Sequence, residues 1–449
     1  MLRLAMPVLA EELLTILVGY TDWWLAGHFL QTTDHKAAMG LMSYVMWLLP
    51  SLFAAVAIGA TALIARSVGA KDHRQASHVA NQALLIGGVL AVLATAVVLL
   101  GGRYLIDFMQ LEPRAAELAW RYLLIVAPGL PLIMVEQVSA ACLRGAGDTV
   151  SGFVAKSIVN VVNVILSTLL IIGPGPIPQL GWEGIAVGTV CGHVVGGLIL
   201  LGLLLRGRAG LQLRRKWLRP NLDLLKRLLR IGVPGGIDVM AVLSCHLIYV
   251  SIINSLGTLA AAAHGLGVQI EALAYLPGAA FQVAATTLSG QYLGAKEPKR
   301  ASRSVLMTLA VGCTLMSLAA LVFYFGGQLL ATFFTGDSQD TAGLLTARLL
   351  KIVAFATPFL GVLQILTGAL RGAGDTRWPL VITFVGLVGV RIPGAVLLAW
   401  EPFQFANVVI PCLGWGVLGA WWAMVVDTML RSLLVTLRFW QGGWKRTRV

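Results

Sequence analysis

Charge is what this sequence lacks most. Only 12% of its 449 residues are Asp, Glu, Lys or Arg, about half the share in a soluble globular domain. Cysteine is scarce too. Cys142, Cys191, Cys245, Cys313 and Cys412 lie scattered in or beside apolar runs, with neither metal-ligand spacing nor a disulfide framework. No Gly-rich loop ending in Lys and Ser or Thr is present, which argues against ATP as energy source. His193, His246 and His264 form no His-x-x-x-His pair, so they read as poor metal ligands, with proton relay by one of them as a minor alternative. No cofactor is expected.

What remains is apolar. Hydrophobic residues make up 58% of the chain, and the mean hydropathy is +0.83. This material falls into runs of roughly 20 to 30 residues, each long enough to cross a bilayer as a helix. Only helices or closed barrels satisfy their backbone in lipid, and the runs lack the alternation of barrel strands. Spans are read near 3–30, 38–66, 77–101, 119–142, 150–173, 184–205, 230–254, 258–290, 303–332, 345–368, 378–400 and 411–438. The expectation is an all-α polytopic membrane protein with twelve transmembrane helices. Met1 stands almost at the first span, with no small-residue cleavage site behind a separate signal peptide, so that span is expected to be retained.

The formal net charge of +13 reads as loop charge, not as a nucleic-acid surface. With both termini cytoplasmic, Lys71, Arg74, Arg144, Arg214, Arg215, Lys216, Arg219, Lys296, Lys299, Arg300, Arg371 and Arg377 fall in inward loops, and Lys445, Arg446 and Arg448 in the tail. Lys36, Arg103 and Arg114 fall outside, while Arg121, Arg348 and Lys351 near outer helix ends run against the trend. The bias is positive-inside. The basic stretch from Arg206 to Arg230, broken by Pro220, reads as a tether lying on anionic lipid.

The two halves repeat. "LRLAMP" at Leu2–Pro7 returns as "LRIGVP" at Leu229–Pro234, and "LRGAGDT" at Leu143–Thr149 recurs at Leu370–Thr376, both offset by 227 residues. "VGAKDHRQAS" from Val68 is echoed by "LGAKEPKRAS" from Leu293 at an offset of 225. Six spans per repeat is an even number, so the copies run parallel in the membrane. The expected architecture is two pseudo-symmetric six-helix lobes, residues 1–205 and 230–440, around a central cavity. Residues 206–229 connect them, and 441–449 form a short basic tail.

Ionisable groups inside such spans are costly and point to function. Asp22 lies two-thirds along the first span, and Glu11, eleven residues earlier, shares its face within some 20°. A carboxyl poised there can bind and release a proton. Pro7 and Pro234 each remove an amide donor and are expected to bend their helices. Asp238 occupies the place in the second half that Glu11 holds in the first. With Glu271 and Tyr275 it is a candidate for a substrate cavity attracting organic cations; a second coupling site, or a Glu271–Arg391 pair, is the other reading. Glu136 and Asp427 read as structurally paired or interfacial groups, with a place facing the cavity as the other reading. Local Arg144–Asp148 and Arg371–Asp375 bonds are expected to brace the duplicated turns.

The paired "LRGAGDT" elements, the opening "LRLAMP…YTDWWLAGH" and "IEALAYLPGAAFQVAATTLSGQYLGAKEPKRA" from Ile270 resemble the multidrug and toxic compound extrusion family, over essentially the whole chain. The resemblance implies a secondary antiporter that exports organic, often cationic or amphipathic, compounds in exchange for protons or sodium ions by alternating access. It matches Asp22 to the family's ion-coupling aspartate in the first helix, Asn163 to the asparagine of its polar cluster, and Thr189 to a sixth-helix threonine. Ser167 stands where many relatives carry a second aspartate. Val242 and Leu360 stand where the sodium-coupled branch carries acids. The lean is towards H+, with Na+ at Asp22, Asn163 and Thr189 as the alternative and a lipid-linked oligosaccharide flippase as the rival. Expected partners are a small organic substrate and the bilayer, with no nucleic acid and a monomer as the functional unit.

Overall fold

The computed structural model describes residues 1–30, 33–109, 111–337, 339–405 and 408–447; Arg448 of the basic tail lies outside them. Helices dominate. The first half contains α1 (Leu2–Leu25), α2 (Thr33–Ser51), α3 (Ala54–Gly69), α4 (His73–Phe108), α5 (Pro113–Val126), α6 (Leu130–Ala146), α7 (Val150–Ile172) and α8 (Trp182–Leu205). After two short 3-10 turns come α9 (Leu222–Asn254), α10 (Thr258–Gly294), α11 (Pro298–Thr335), α12 (Thr341–Gly372), α13 (Arg377–Gly386), α14 (Ile392–Ala399) and α15 (Gly416–Gln441).

Among the described residues, eleven helical spans are long and apolar enough to cross a membrane, counting α2–α3, α5–α6 and α13–α14 as one each. The twelfth expected span, α1, is a continuous helix of 24 residues that carries Arg3, Glu11, Glu12 and Asp22. Interruptions follow local chemistry. Pro50 cannot donate to the preceding turn, and the chain tightens there through Leu52 N–H to Leu49 O (3.3 Å) and Phe53 N–H to Pro50 O (3.0 Å) before α3 starts. A small antiparallel hairpin, β1 (Phe403–Phe405) and β2 (Val408–Ile410), pairs Phe403 with Ile410. It departs from the all-α expectation in a loop, outside every span.

The chain forms two compact units, Leu2–Gly236 and Ile237–Val449. In the first, Leu25, Met42, Ile106, Tyr122, Leu130 and Trp182 build an apolar core. In the second, Tyr249, Ile253, Phe323, Leu349, Leu350 and Trp421 do so. Large apolar side chains such as Leu100, Phe325 and Phe333 remain exposed on α4 and α11, as lipid-facing positions require.

The repeat seen in sequence reappears in the internal geometry of each unit. In the first, the Thr61 hydroxyl lies 2.9 Å from Ala57 O and 3.0 Å from Ala141 O. In the second, the Thr286 hydroxyl lies 2.8 Å from Gln282 O and 2.9 Å from Gly368 O. Both "LRGAGDT" elements close their helices with the same turn. Gly147 and Gly374, at φ +94° and +83°, adopt the left-handed conformation that glycine favours. Their amides donate to Arg144 O and Arg371 O, and those of Asp148 and Asp375 to Leu143 O and Leu370 O.

The basic connector is bound along α4. Ser77, Asn81 and Gln82 of α4 bind its backbone, with Gln82 Nε2 donating to Trp217 O (2.7 Å) and Arg219 O (2.9 Å). Asn81 Nδ2 donates to Gln212 O at 3.1 Å. Arg214 and Lys216 lie over the Trp217 ring.

Candidate functional site

The buried face of α1 runs through Ala5, Val8, Glu11, Val18, Asp22 and Leu25, so Glu11 and Asp22 share one stripe. The two acids meet different surroundings. Asp22, 6% exposed, lies against α7 and α8, where Asn163 and Thr189 are 0% and 2% exposed. Thr189 Oγ1 donates to Asp22 Oδ2 at 2.9 Å, with Ile185 O competing for the same proton at 3.0 Å. Asn163 Nδ2 lies 3.2 Å from Asp22 Oδ1, 3.0 Å from Thr189 Oγ1 and 3.4 Å from Ser167 Oγ. Asn163 Oδ1 is buried without a hydrogen-bond partner. The buried Tyr122 hydroxyl of α5 also interacts with Thr189.

Close helix contact makes this cluster possible. A Cβ built on Gly188 would come 2.1 Å from Ser167 Oγ and 2.7 Å from Ser167 N, so only glycine lets α8 approach α7 at that level. Asp22, Asn163 and Thr189, which the family resemblance groups together, are thus in mutual contact. Ser167 joins them as a neutral oxygen. Tyr122 was missed, having no local signal beyond an aromatic residue in an apolar run.

Glu11 sits three turns from Asp22, bound to Arg144 (Nη1 to Oε1, 3.0 Å). Pro7 lies inside a continuous α1. Because Pro7 has no N–H, the Arg3 carbonyl one turn earlier loses its helical donor; the Thr149 hydroxyl lies 3.4 Å from it. One "LRGAGDT" element therefore contacts α1 twice. Asp148 of the same element accepts from Ser151 N (3.1 Å), Ser151 Oγ (2.8 Å) and Arg208 Nε (2.6 Å). Burial works against its charge, but those donors hold the Asp148 carboxyl below its ordinary range. The expected local Arg–Asp braces are corrected here. Arg144 reaches Glu11 and Asp148 reaches Arg208, while Arg371 reaches Asp238 and Asp375 reaches Arg438 (2.7 Å). An arginine and an aspartate four residues apart across a tight turn point to different helices.

In the second unit, Asp238 is 2% exposed and paired with Arg371 at 2.5 Å. This ion pair is the counterpart of Glu11–Arg144: both span 133 positions, and their members lie 227 apart. Pro234 stands one turn before Asp238 inside α9. Glu271, half-buried on α10, lies within electrostatic range of Arg391 and Tyr249. The Glu271–Arg391 pair is not the bond formed. Arg391 Nε donates to Asp427 Oδ2 at 2.9 Å, and Arg431 Nε donates to Asp427 Oδ1 at 2.8 Å. A π-turn, Leu387–Arg391, sets Arg391 beside α15. Tyr275, one turn beyond Glu271, is exposed. Glu136, expected to be paired, is bonded to Lys156 and His193; Lys156 went unnoticed as a lone lysine within an apolar helix.

Among the described residues, no group of three His, Cys, Asp or Glu side chains converges as a metal site. Around Asp22 the donor set is one carboxylate with neutral oxygens. That set can hold a proton, or a monovalent hard cation with fewer charges than such sites usually supply.

A profile of the MatE family matches residues 7–169 and 234–397, two copies starting 227 positions apart, as the internal repeat does. The probable multidrug resistance protein NorM of Thermotoga maritima is 28% identical over 449 residues, covering 100% of this chain and 93% of the relative. The probable multidrug resistance protein YoeA of Bacillus subtilis is 26% identical, covering 99% and 93%. An outward-facing multidrug resistance MATE family transporter of the MOP superfamily superposes with a TM-score of 0.89 at 20% identity, over 100% of this chain and 96% of that one. A MOP superfamily transporter from Pyrococcus furiosus gives the same TM-score, identity and coverage. At such identity the structural likeness bears on the fold alone. With two copies of the family profile across most of its length, this chain belongs to the MatE family, the multidrug and toxic compound extrusion transporters, which are membrane carriers and not enzymes.

Proposed function

We propose that the protein is a secondary antiporter that exports organic cations or amphipathic compounds in exchange for protons, by alternating access. The observation that carries this reading is the setting of Asp22: a buried carboxyl whose hydrogen-bond donors, Asn163 and Thr189, are both neutral. A carboxylate in such surroundings is costly to ionise. It binds a proton readily and needs a changed environment, such as hydration, to give it up. Coupling follows when protonation favours one access state and the substrate the other. The multidrug resistance assignment of the Thermotoga and Bacillus relatives supports the export of organic compounds. The duplicated turns and ion pairs support two pseudo-symmetric six-helix lobes, and the loop charge supports cytoplasmic termini. Glu271 and Tyr275 remain the candidates for substrate contact, and the monomer is the functional unit.

The test is flux in proteoliposomes, with ΔpH and ΔNa+ imposed separately while ethidium efflux is followed. Flux driven by ΔpH and lost in a folded Asp22→Asn variant supports proton coupling. Flux driven only by ΔNa+, or unchanged ΔpH-driven flux in Asp22→Asn, refutes it.

A further inference from the structure

One buried cluster in the first unit has no part in the coupling scheme above. Glu136 of α6, Lys156 of α7 and His193 of α8 form a closed triad. Lys156 Nζ donates to Glu136 Oε1 at 2.6 Å, and His193 Nδ1 lies 2.6 Å from Glu136 Oε2. All three are buried. Three ionisable groups in such a setting are expensive to keep, and a hydrophobic contact would hold the same helices together.

The triad stands next to the Asp22 cluster. On α8, His193 is one turn from Thr189, about 6 Å along the axis on the same face. On α7, Lys156, Asn160, Asn163 and Ser167 are all buried, so one polar stripe joins the two clusters. The side-chain oxygens of Asn160 and Asn163, on consecutive turns of that stripe, are both buried without partners. They are acceptors placed between one titratable group and the next. Beyond the triad, the Glu12 carboxyl lies within electrostatic range of Lys156, Arg144 and Glu11. The stripe therefore continues towards the charged end of α1.

The hydrogen-bond pattern fixes which ring nitrogen of His193 faces Glu136. Ionised Glu136 accepts only, so the Nδ1 facing it carries the proton, and the Nε2 of neutral His193 keeps its lone pair. Glu136 and Lys156 cancel, and the triad sums to zero. A proton added at Nε2 makes the cluster singly positive, with Glu136 already in place against the imidazolium. An ionised Asp22, bonded to Thr189 one turn from His193 on α8, supplies the opposite charge.

We propose that the triad is a second proton site in series with Asp22, at which His193 Nε2 takes the proton that Asp22 releases. The step breaks the O–H bond of the Asp22 carboxylic acid and forms an N–H bond at Nε2. It leaves the summed charge of the two clusters unchanged, so Asp22 ionises without creating an isolated buried anion. Glu136 and Lys156 are positioning residues: Lys156 keeps Glu136 ionised, and Glu136 fixes the tautomer. Glu136 of α6 faces His193 directly and Lys156 of α7 reaches it through Glu136; Asp22 of α1 is bonded to Thr189, one turn earlier on α8.

The inference rests on proton coupling through Asp22, and one experiment separates the two. ΔpH-driven ethidium flux is measured against pH for the parent, Asp22→Asn and His193→Asn, each checked for monodispersity. His193→Asn keeps an amide donor towards Glu136 but has no nitrogen that binds a proton. It should lower flux at least roughly tenfold. It should also change the pH dependence of the flux, because the second acceptor in the series is gone. Parental flux and pH dependence in His193→Asn beside a dead Asp22→Asn would overturn the second site alone. Full flux in Asp22→Asn would overturn proton coupling itself. If His193→Asn does not fold, His193→Gln is read in the same way. Ring-nitrogen NMR of the histidine-labelled parent serves as the second measurement. The proposal expects one histidine to pass from the Nδ1–H tautomer to the doubly protonated form over the pH range of the flux, and fails if none does.

Discussion

The repeat-related ion pairs invite a perturbation of known sign. Asp238 and Arg371 are 2.5 Å apart, with the aspartate fully enclosed and the arginine side chain 17% exposed. Charges about 4 Å apart between group centres attract by about 4 kcal/mol at an effective dielectric near 20. Much of that offsets desolvation, and incompletely, because Asp238 Oδ1 and Arg371 Nε are buried without partners. Removing one member leaves the other charge buried and unpaired, at a cost of roughly 3–5 kcal/mol. Scaled at roughly 2 °C per kcal/mol, Arg371→Met should melt about 6–10 °C below the parent. Removing both charges in Asp238→Leu/Arg371→Met should bring stability back to within about 1 kcal/mol of the parent, or above it. The assay is thermal unfolding of the detergent-solubilised protein, run as a double-mutant cycle. A single variant within about 1 °C of the parent, or a double variant showing the plain sum of the two losses, refutes the reasoning.

Three further outcomes are expected. Gly188→Ala forces α7 and α8 apart at Ser167; it should cost about 1–3 kcal/mol and reduce ΔpH-driven flux, read by melting and transport in one preparation. Asp148→Ala removes the acceptor at the start of α7 and should cost about 1 kcal/mol. Because the folded Asp148 carboxyl is held low, its contribution is present above the unfolded value of about 3.9 and fades as pH falls through the folded one. The melting gap between parent and Asp148→Asn should therefore close on acidification, and a gap that widens would contradict the assignment. Ser167→Asp sets a second carboxyl on Asn163 and should let ΔNa+ drive ethidium flux; no response to sodium would show that carboxylate count does not set the ion.

The span pattern was legible because twenty apolar residues in a row are a local signal. Asp22 was legible for the same reason, as one charge among aromatic and aliphatic neighbours. Its partners were not derivable from spacing: Asn163 lies 141 positions away and Thr189 lies 167 away, and only resemblance brought them forward. The turn chemistry of "LRGAGDT" was readable in its glycines, but the bonding of its charges was not. Arg144 and Asp148 are close in sequence, so a mutual bond looked natural. The helix ends direct them to Glu11 and Arg208 instead. Ser77, Asn81 and Gln82 look like an ordinary polar stretch of α4 until the connector backbone is seen lying on them. Lys156 carries no mark in the sequence of its pairing with Glu136, twenty positions earlier.

Burial therefore says less about function here than partnership does. Glu11, Glu136, Asp238 and Asp427 are as enclosed as Asp22, yet each faces a cation: Arg144, Lys156, Arg371, and Arg391 with Arg431. An arginine opposite compensates the charge of a carboxylate, and the pair ties two helices together. Asp22 is held by an amide and a hydroxyl, and neither compensates its charge. Its protonation state is free to follow its surroundings, and that freedom is what a coupling group requires. The distinction does not lie in the acid or its depth, since an aspartate on the buried face of α9 has the opposite fate. It lies in the residue set opposite by a distant helix. In the first half that residue is Arg144 for Glu11 and Asn163 for Asp22, so one face of α1 carries an ion pair at one level and, three turns on, the neutrally bonded carboxyl proposed above as the proton switch.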